Sequence, residues 1–190
     1  MNKDMRDEVI YGRRADSLRV FVSSQMRDDV LATERRVVVE TINDSPMHHA
    51  WCWEDDAPAG ALHSEAECLG YAASSDGLVL LLASELTAVT RAEYEAARQN
   101  GADRYVFLRT GVQLGADAKR FVEQEQRDRT ITKNFANVSE LRTSLTGALM
   151  SSAVRASREE GLRRRSVELG STPPTNATIP SHPTSPRGQG

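Results

Sequence analysis

Hydroxyl side chains follow two hydrophobic segments of the chain, where they are suited to binding a polar ligand. Ser23 and Ser24 come directly after the segment 18–22, and Ser84 comes directly after the apolar run 78–83. Hydroxyl groups and free backbone N–H groups at the ends of such segments suit a sugar or a phosphate. The alternative for Ser23 and Ser24 is simple turn chemistry after a strand, because serine also favours turns.

Glu93 is the residue whose type and position are most informative about catalysis. A carboxylate beside the C1 carbon of a sugar can stabilise an oxocarbenium-like centre or attack that carbon, as in glycosidases. Glu93 is also the last residue of Thr90-Arg91-Ala92-Glu93, a capping-box pattern in which its carboxylate bonds back to the Thr90 backbone. The sequence therefore leaves two interpretations open, a catalytic carboxylate and a helix-capping residue.

Motifs of the common nucleotide and metal sites are missing from the sequence. No Gly-x-Gly-x-x-Gly motif follows the first hydrophobic segment and no Gly-x-x-x-x-Gly-Lys-Ser/Thr motif occurs, which argues against Rossmann dinucleotide sites and P-loops. His48, His49 and His63 are not accompanied by a cluster of acids, so we expect no metal site. Cys52 and Cys68 have no paired spacing, and we expect both to be reduced thiols.

Strand and helix patterns alternate along the chain. We predict strands at 18–22, 50–53, 78–83, 105–108 and 130–132, and helices at 29–42, beginning at 64, at 90–100, around 118–122 and at 137–156. This alternation predicts an α/β fold with a doubly wound, flavodoxin-like parallel sheet of five strands. Right-handed crossovers and short loops favour the strand order 2-1-3-4-5.

The predicted strand order places a crevice between the carboxyl ends of the first and third strands. Ligands bind at this position in most doubly wound folds. We therefore expect the polar residues at the strand ends and on the following helix to form one site. They are Ser23, Ser24 and Ser84 at strand ends, Thr90 and Glu93 on the following helix, and Trp53 and Glu54 on the flank, at the end of the second strand.

Composition and charge argue against several classes of protein. The chain has 190 residues, of which 27% are charged and 39% belong to the hydrophobic set, an ordinary composition for a globular domain. The longest apolar run has six residues and the N-terminus has no apolar region like that of a signal peptide, so we expect no membrane and a cytoplasmic location. Residues 1–150 carry 18 basic and 24 acidic residues, which argues against nucleic-acid binding.

The composition changes twice along the chain, which predicts three segments. Residues 1–17 are a charged lead-in, residues 18–156 form the α/β domain, and residues 157–190 form a tail that is first basic and then rich in Pro, Ser and Thr. Five of the seven prolines lie in 171–190, where only two residues are aliphatic. Such a segment cannot bury enough apolar surface to offset the entropy of ordering, so we expect the tail to be disordered.

Several blocks of the sequence, in their order and spacing, resemble a known family. The blocks are Leu18-Arg19-Val20-Phe21-Val22-Ser23-Ser24, Glu34-Arg35, Cys68 with Ser75-Asp76-Gly77-Leu78-Val79-Leu80, Thr90-Arg91-Ala92-Glu93-Tyr94-Glu95-Ala96-Ala97, and Phe135-Ala136-Asn137-Val138-Ser139-Glu140-Leu141. Together they resemble the TIR-like domain of unknown function found at the N-termini of bacterial STAND NTPases, over about residues 18–150. The resemblance implies a fold similar to TIR domains and to nucleoside 2-deoxyribosyltransferases.

The resemblance also implies a role for Glu93. Both related groups use a glutamate on the helix after the third or fourth core strand. In the deoxyribosyltransferases the pattern is Thr, two residues, Glu, three residues and Ala, which Thr90, Glu93 and Ala97 match. In enzymatic TIR domains the corresponding glutamate supports cleavage of the nicotinamide–ribose bond of NAD. The chain departs from many relatives in having Arg91 in place of a second acid, and in lacking glycines between Ala83 and Thr90.

The resemblance implies a TIR-like effector or signalling domain, of the kind that serves bacterial defence. We expect it to bind NAD or a nucleotide and to hydrolyse the N-glycosidic bond, with NAD as substrate and no cofactor. Glu93 would stabilise the ribosyl cation, the serines would hold ribose hydroxyls or phosphate, and Trp53 would pack on a ring. Two alternatives stay open. One is a catalytically silent interaction domain that self-associates or receives a signalling partner, and the other is a nucleoside or nucleotide base hydrolase.

Overall fold

Residues 17–27, 30–57, 59 and 64–170 are described by the structure, which is a computed structural model of the chain. The predicted lead-in, apart from Ser17, and the proline-rich tail from residue 171 lie outside the described residues. The chain separates into two compact units, Met1–Ala153 and Val154–Gly190, and the sheet belongs to the first. The domain boundaries that the composition predicts stay predictions.

Five parallel strands form one sheet in the order β2-β1-β3-β4-β5. The strands are β1 (Leu18–Ser24), β2 (His48–Trp51), β3 (Gly77–Leu82), β4 (Asp103–Arg109) and β5 (Thr132–Phe135). All neighbouring pairs are parallel, so each connection crosses back over a face of the sheet. The structure confirms the predicted α/β fold class and the predicted strand order.

Helices cover both faces of this sheet. Those in the described part of the chain are α1 (Ala32–Asn43), α2 (Trp53–Asp56), α3 (Ser64–Ser74), α4 (Ala88–Gln99), α5 (Ala116–Arg127) and α6 (Val138–Gly170). One buried cluster contains side chains of α3, α4 and α5, and the other contains side chains of α1 and of the first turns of α6. We call the two sides of the sheet the α4 face and the α1 face.

The second strand ends earlier than the sequence pattern predicts. Trp53 is predicted in that strand, but β2 ends at Trp51 and Trp53 begins the single-turn helix α2. The Cys52 amide donates a hydrogen bond of 2.8 Å to Asp56 Oδ2. This bond closes the helical turn and takes the chain out of the sheet before Trp53.

The fifth strand and the last helix also differ from their predicted bounds. The edge strand is predicted at 130–132, but β5 begins at Thr132. The Thr130 amide is not available to the sheet, because it donates to the Glu125 carbonyl at the end of α5. The last helix continues past its predicted end at Ala156. The added turns contain side chains that pair one turn apart, as Glu160 Oε1 and Arg164 Nε do at 2.9 Å, and such pairs stabilise exposed helices.

β3 is buried on both faces and forms the centre of the sheet. All six of its residues are buried, and Leu78–Leu82 are 0% exposed, as expected of a strand in the middle of a parallel sheet. Its alternate side chains enter the two clusters, with Leu80 on the α4 face and Leu81 on the α1 face. The apolar run seen in the sequence therefore joins the two layers of helices.

We expect Leu80→Ala to lower the free energy of unfolding by about 2–5 kcal/mol, because it removes buried apolar surface and leaves a cavity. Leu162→Ala is the matched control, since Leu162 is 58% exposed on α6 and such a surface change alters stability by only about 0.5 kcal/mol or less. Urea denaturation followed by circular dichroism measures both. A loss below about 1 kcal/mol for Leu80→Ala would contradict a central β3.

Candidate functional site

The carboxyl end of β1 lies where the winding of the sheet changes direction. From β1 the chain crosses to β2 on one side, and β3 then pairs with the other side of β1. Doubly wound folds bind their ligands at such switch points, beyond the carboxyl ends of the strands. Ser23 and Ser24 end β1 at this edge of the sheet.

The two serines at the end of β1 belong to opposite faces. Ser23 is in register with Leu80, and Ser24 is in register with Leu81. Side chains alternate between the two faces along each strand, and neighbours in register share a face. Ser23 therefore lies on the α4 face and Ser24 on the α1 face, so the structure separates two residues that the sequence places in one group.

On the α4 face, Ser23 and Glu93 form a buried hydrogen-bonded pair. The Ser23 hydroxyl donates to Glu93 Oε2 over 2.6 Å, and the two residues are 1% and 7% exposed. The bond joins the end of β1 to the second turn of α4. Strand and helix together therefore hold the carboxylate at the switch point.

The capping interpretation of Glu93 is wrong, because α4 begins earlier than the sequence predicts. Thr87 is the N-cap, and its hydroxyl accepts a hydrogen bond of 3.1 Å from the Thr90 amide. The Thr87 and Thr90 hydroxyls are 2.8 Å apart, and Thr90 is 3% exposed, so Thr90 takes part in the cap itself. Glu93 lies a turn further along the helix, where its carboxylate accepts from Ser23.

Glu93 is an acid whose charge changes near neutral pH. Burial raises its pKa from 4.5 to about 7, and hydrogen bonds from Ser23 and Cys68 act against this rise. Cys68 lies on α3, where burial and the nearby Glu93 carboxylate raise the pKa of its thiol to about 12, so the thiol stays protonated. A carboxyl group with a pKa near 7 at a ligand-binding edge is typical of acid–base or electrostatic chemistry.

On the α1 face, Ser24 belongs to a second polar group centred on Arg35. Arg35 Nη1 donates to Ser24 Oγ and to the Gln25 carbonyl, each over 3.2 Å. Arg35 Nε donates to Glu54 Oε1 over 2.6 Å. The arginine is 7% exposed, so it brings a buried positive charge to this end of the sheet and ties α1, β1 and α2 together.

Arg35 and Gln25 are site residues that the sequence-based site prediction lacks. Arg35 lies four residues after Leu31 and three before Val38, both of which are 0% exposed. That spacing puts Arg35 on the apolar side of an amphipathic helix, and a charge there requires a buried partner. Such a pattern can be found in the sequence. Gln25 is a single polar residue after a strand, and no sequence pattern marks it.

Trp53, Glu54 and Ser84 lie around the same end of the sheet. Trp53 is half-buried against the cluster on the α4 face, while Glu54 pairs with the arginine of the α1 face. Ser84 is half-exposed, and its carbonyl accepts a 2.7 Å hydrogen bond from the Gly115 amide. A Cβ at position 115 would stand 3.3 Å from that oxygen, which favours glycine there. Ligand contacts of these side chains stay predictions.

The residue after Glu93 anchors α4 to α5. The Tyr94 hydroxyl donates to the carboxylate of Glu125, and burial raises the pKa of this tyrosine. Glu125 is 1% exposed, and it also accepts from the Thr130 hydroxyl over 2.8 Å and from two arginines at 3.4 Å. These bonds fix the rotation of α4 about its axis and so fix the direction of Glu93.

A cavity of about 380 Å³ between α4 and α5 is separate from the Ser23–Glu93 pair. Its walls include Arg98, Arg120, Asp117 and Glu125. Arg98 already pairs with Glu125, and Arg120 pairs with Asp117. Because these charges are balanced within the protein, the cavity offers no clear preference for an anion or a cation.

Membrane-spanning helices and groups of metal-ligating side chains are both absent from the described part of the chain. None of its helices combines the length and the hydropathy that crossing a bilayer requires. Within the same residues, no three His, Cys, Asp or Glu side chains are grouped as metal ligands are.

Sequence comparison identifies the family. The model of a domain of unknown function, DUF4062, matches residues 19–150. The chain belongs to this family. The matched part of the DUF4062 domain contains the whole sheet from the second residue of β1 onward, together with both polar groups at the end of β1. No curated protein matches the chain.

Two solved structures are similar to the DUF4062 domain at low sequence identity. The Flv1 flavodiiron core from Synechocystis sp. PCC6803 is 15% identical, with a TM-score of 0.47 over 73% of this chain and 37% of that one. This chain therefore spans well under half the length of the flavodiiron core. The TIR domains of the activated Roq1 resistosome, which directly recognises the pathogen effector XopQ, are 16% identical, with a TM-score of 0.43 over 69% and 82% of the two chains.

We expect Glu93→Gln to stabilise the DUF4062 domain more at pH 8 than at pH 4. The folded wild type favours protonated Glu93, because burial raises its pKa from 4.5 to about 7. The stability that the wild type gains from this proton is complete below about pH 4.5 and is lost as the pH rises through about 7. The free energy of unfolding of the wild type therefore falls by about 3 kcal/mol between pH 4 and pH 8 through Glu93, whereas that of Glu93→Gln has no such loss. Urea denaturation at several pH values measures the difference between the two proteins.

Glu123→Gln is the matched control for this comparison, because Glu123 is exposed on α5. Its difference from the wild type should change little with pH. If the difference in unfolding free energy between the wild type and Glu93→Gln did not change with pH, the raised pKa of Glu93 would be contradicted.

Proposed function

We propose that this DUF4062 domain is a TIR-like enzyme that binds NAD or a related nucleotide at the carboxyl end of β1 and hydrolyses its N-glycosidic bond. The observation that supports this most directly is the buried Ser23–Glu93 pair, with its 2.6 Å hydrogen bond at the switch point of the sheet. A carboxylate held in a fixed position suits the stabilisation of positive charge at an anomeric carbon.

The proposed reaction breaks the bond between ribose C1 and the nitrogen of nicotinamide. The bonding electron pair leaves with that nitrogen and neutralises its pyridinium charge, while positive charge develops on C1 and the ring oxygen. Ionised Glu93 stabilises this charge. Water then adds to C1 and releases a proton, so each NAD gives ADP-ribose, nicotinamide and one proton.

The surroundings of Glu93 suit this chemistry at neutral pH. With a pKa of about 7, the free protein contains both the protonated and the ionised form. A nicotinamide ring that carries a positive charge favours the ionised form when it binds nearby. Substrate binding would therefore generate the carboxylate that the reaction needs, and the Ser23 hydroxyl would keep it oriented.

The second polar group suits the phosphate part of a nucleotide. Arg35 supplies a buried guanidinium whose Nε pairs with the exposed Glu54, while its Nη1 lies 3.2 Å from the Ser24 hydroxyl. Guanidinium groups recognise phosphate well because their planar N–H groups match its oxygens. Ser84 is assigned to a ribose hydroxyl and Trp53 to packing on a ring, on the basis of their places around the same edge.

The resemblance to TIR-like domains of STAND NTPases supports a signalling or defence role in the cytoplasm. In that setting, self-association or a partner protein would act as the trigger for activity. A purified domain should then be assayed both in free solution and after forced clustering.

We expect Glu93→Gln to lower the rate of nicotinamide release from NAD by about 10²-fold or more, because a fixed charge opposite a developing cation contributes several kcal/mol. The kcat/KM of the wild type should rise with pH through about 7 as Glu93 of the free protein ionises, and this dependence should be absent from the residual kcat/KM of the variant. Chromatographic detection of nicotinamide measures both.

Glu123→Gln on the exposed side of α5 serves as the matched control and should keep the wild-type rate and pH profile. Equal rates for the wild type and Glu93→Gln would contradict a catalytic role for Glu93. If the wild type releases no nicotinamide or base under any clustering condition, the hydrolase proposal fails and the interaction domain becomes the better interpretation.

A further inference from the structure

Gln25 is a buried polar residue for which the fold alone gives no explanation. It directly follows β1 and is 8% exposed. Its side-chain oxygen Oε1 is buried without a hydrogen-bond partner in the part of the chain that the structure describes. A buried acceptor without a donor lowers stability, since the group gave up its hydrogen bonds to water on folding.

The backbone of Gln25 is fixed within the second polar group. Its carbonyl accepts a hydrogen bond of 3.2 Å from Arg35 Nη1, and the same nitrogen donates to Ser24 Oγ over 3.2 Å. Two residues earlier, Ser23 donates to Glu93. Gln25 thus directly follows Ser23 and Ser24, which the proposed function uses. Its side-chain amide extends from a backbone that these hydrogen bonds hold in place.

We infer that Gln25 Oε1 accepts a hydrogen bond from a neutral N–H or O–H donor of the nucleotide that binds at this end of the sheet. The inference rests on the proposed function. An amide oxygen is an acceptor, so it selects a donor and not a phosphate. The donors that a nucleotide offers are ribose hydroxyls, the exocyclic amine of adenine and, in NAD, the carboxamide of nicotinamide.

This inference gives Gln25 a role in specificity rather than in the reaction itself. A site that holds an unpaired buried acceptor discriminates strongly against analogues that lack the donor, because the acceptor then stays unpaired. Arg35 and Glu93 recognise charge, whereas Gln25 would recognise one neutral group. The ligand would thereby be fixed in orientation between the cation on one face and the acid on the other.

The test uses Gln25→Met, which keeps the length of the side chain and removes the acceptor. We expect the dissociation constant of Gln25→Met for carba-NAD to be about tenfold higher than that of the wild type, which is the effect of one hydrogen bond to a neutral group. Its thermal midpoint should stay unchanged or rise by about 2–4 °C, because an unpaired buried acceptor has been removed. Gln99→Met, at an exposed position on α4, is the matched control and should change neither quantity.

Three nested probes locate the donor by calorimetry with the full chain. AMP contains the adenine amine and one ribose, ADP-ribose adds the second ribose, and the non-hydrolysable analogue carba-NAD adds the carboxamide. The smallest probe on which Gln25→Met loses affinity relative to the wild type contains the donor. Equal affinities of variant and wild type for all three probes would overturn the inference and leave Gln25 bonded to a water molecule only.

A second measurement on the wild type keeps the test valid where Gln25→Met fails to fold. The side-chain amide resonance of Gln25, assigned by NMR, should shift on addition of carba-NAD, and an unchanged resonance in the bound protein would overturn the inference. The two proposals fail differently. Absence of binding by the wild type overturns both, whereas tight binding with an indifferent Gln25 overturns only the specificity role.

Discussion

The burial of β3 on both faces is the constraint on which the rest of the fold depends. Because Leu78–Leu82 are fully covered, helices must lie on both sides of the sheet, and crossover connections through these helices join strands that are all parallel. Parallel strands bring all their carboxyl ends to one edge. Since β3 pairs with β1, Ser23 ends β1 beside the helix that follows β3, which supplies Glu93.

Side-chain alternation along β1 divides the candidate site into two groups of opposite character. Ser23 holds an acid on the α4 face, and Ser24 holds a cation on the α1 face. Two consecutive residues of one strand thus place a carboxyl group and a guanidinium group on either side of the same edge. NAD has a matching polarity, since its pyridinium ring is positive and its pyrophosphate is negative. Under the proposed function, a ligand of that kind would turn its pyridinium ring toward the α4 face and its pyrophosphate toward the α1 face.

The sequence predicts the sheet order and the nearness of Ser23 to Glu93, because both follow from apolar runs and from the switch-point rule. It does not predict the start of α4, since Thr87 and Thr90 are both good cap residues and only the fold decides between them. The burial of Arg35 depends on Glu54, which lies 19 residues away. Local patterns describe turns and periodicity well, but they contain no information on such distant partners.

Glu93 and Glu125 are buried glutamates on the α4 face that differ in how their charges are compensated. Glu125 is surrounded by the hydroxyls of Tyr94 and Thr130 and by two arginines, so the protein itself balances its charge. The donors described for Glu93 are a hydroxyl and a thiol, both of them neutral.

For stability alone, a neutral glutamine at position 93 would accept the same bond from Ser23 without the loss of stability that the acid undergoes between about pH 4.5 and pH 7. A buried acid whose charge the protein does not balance is stabilised by a positive charge supplied from outside the fold. The proposed function supplies such a charge, because both a pyridinium ring and a ribosyl cation would bring a cationic centre opposite Glu93.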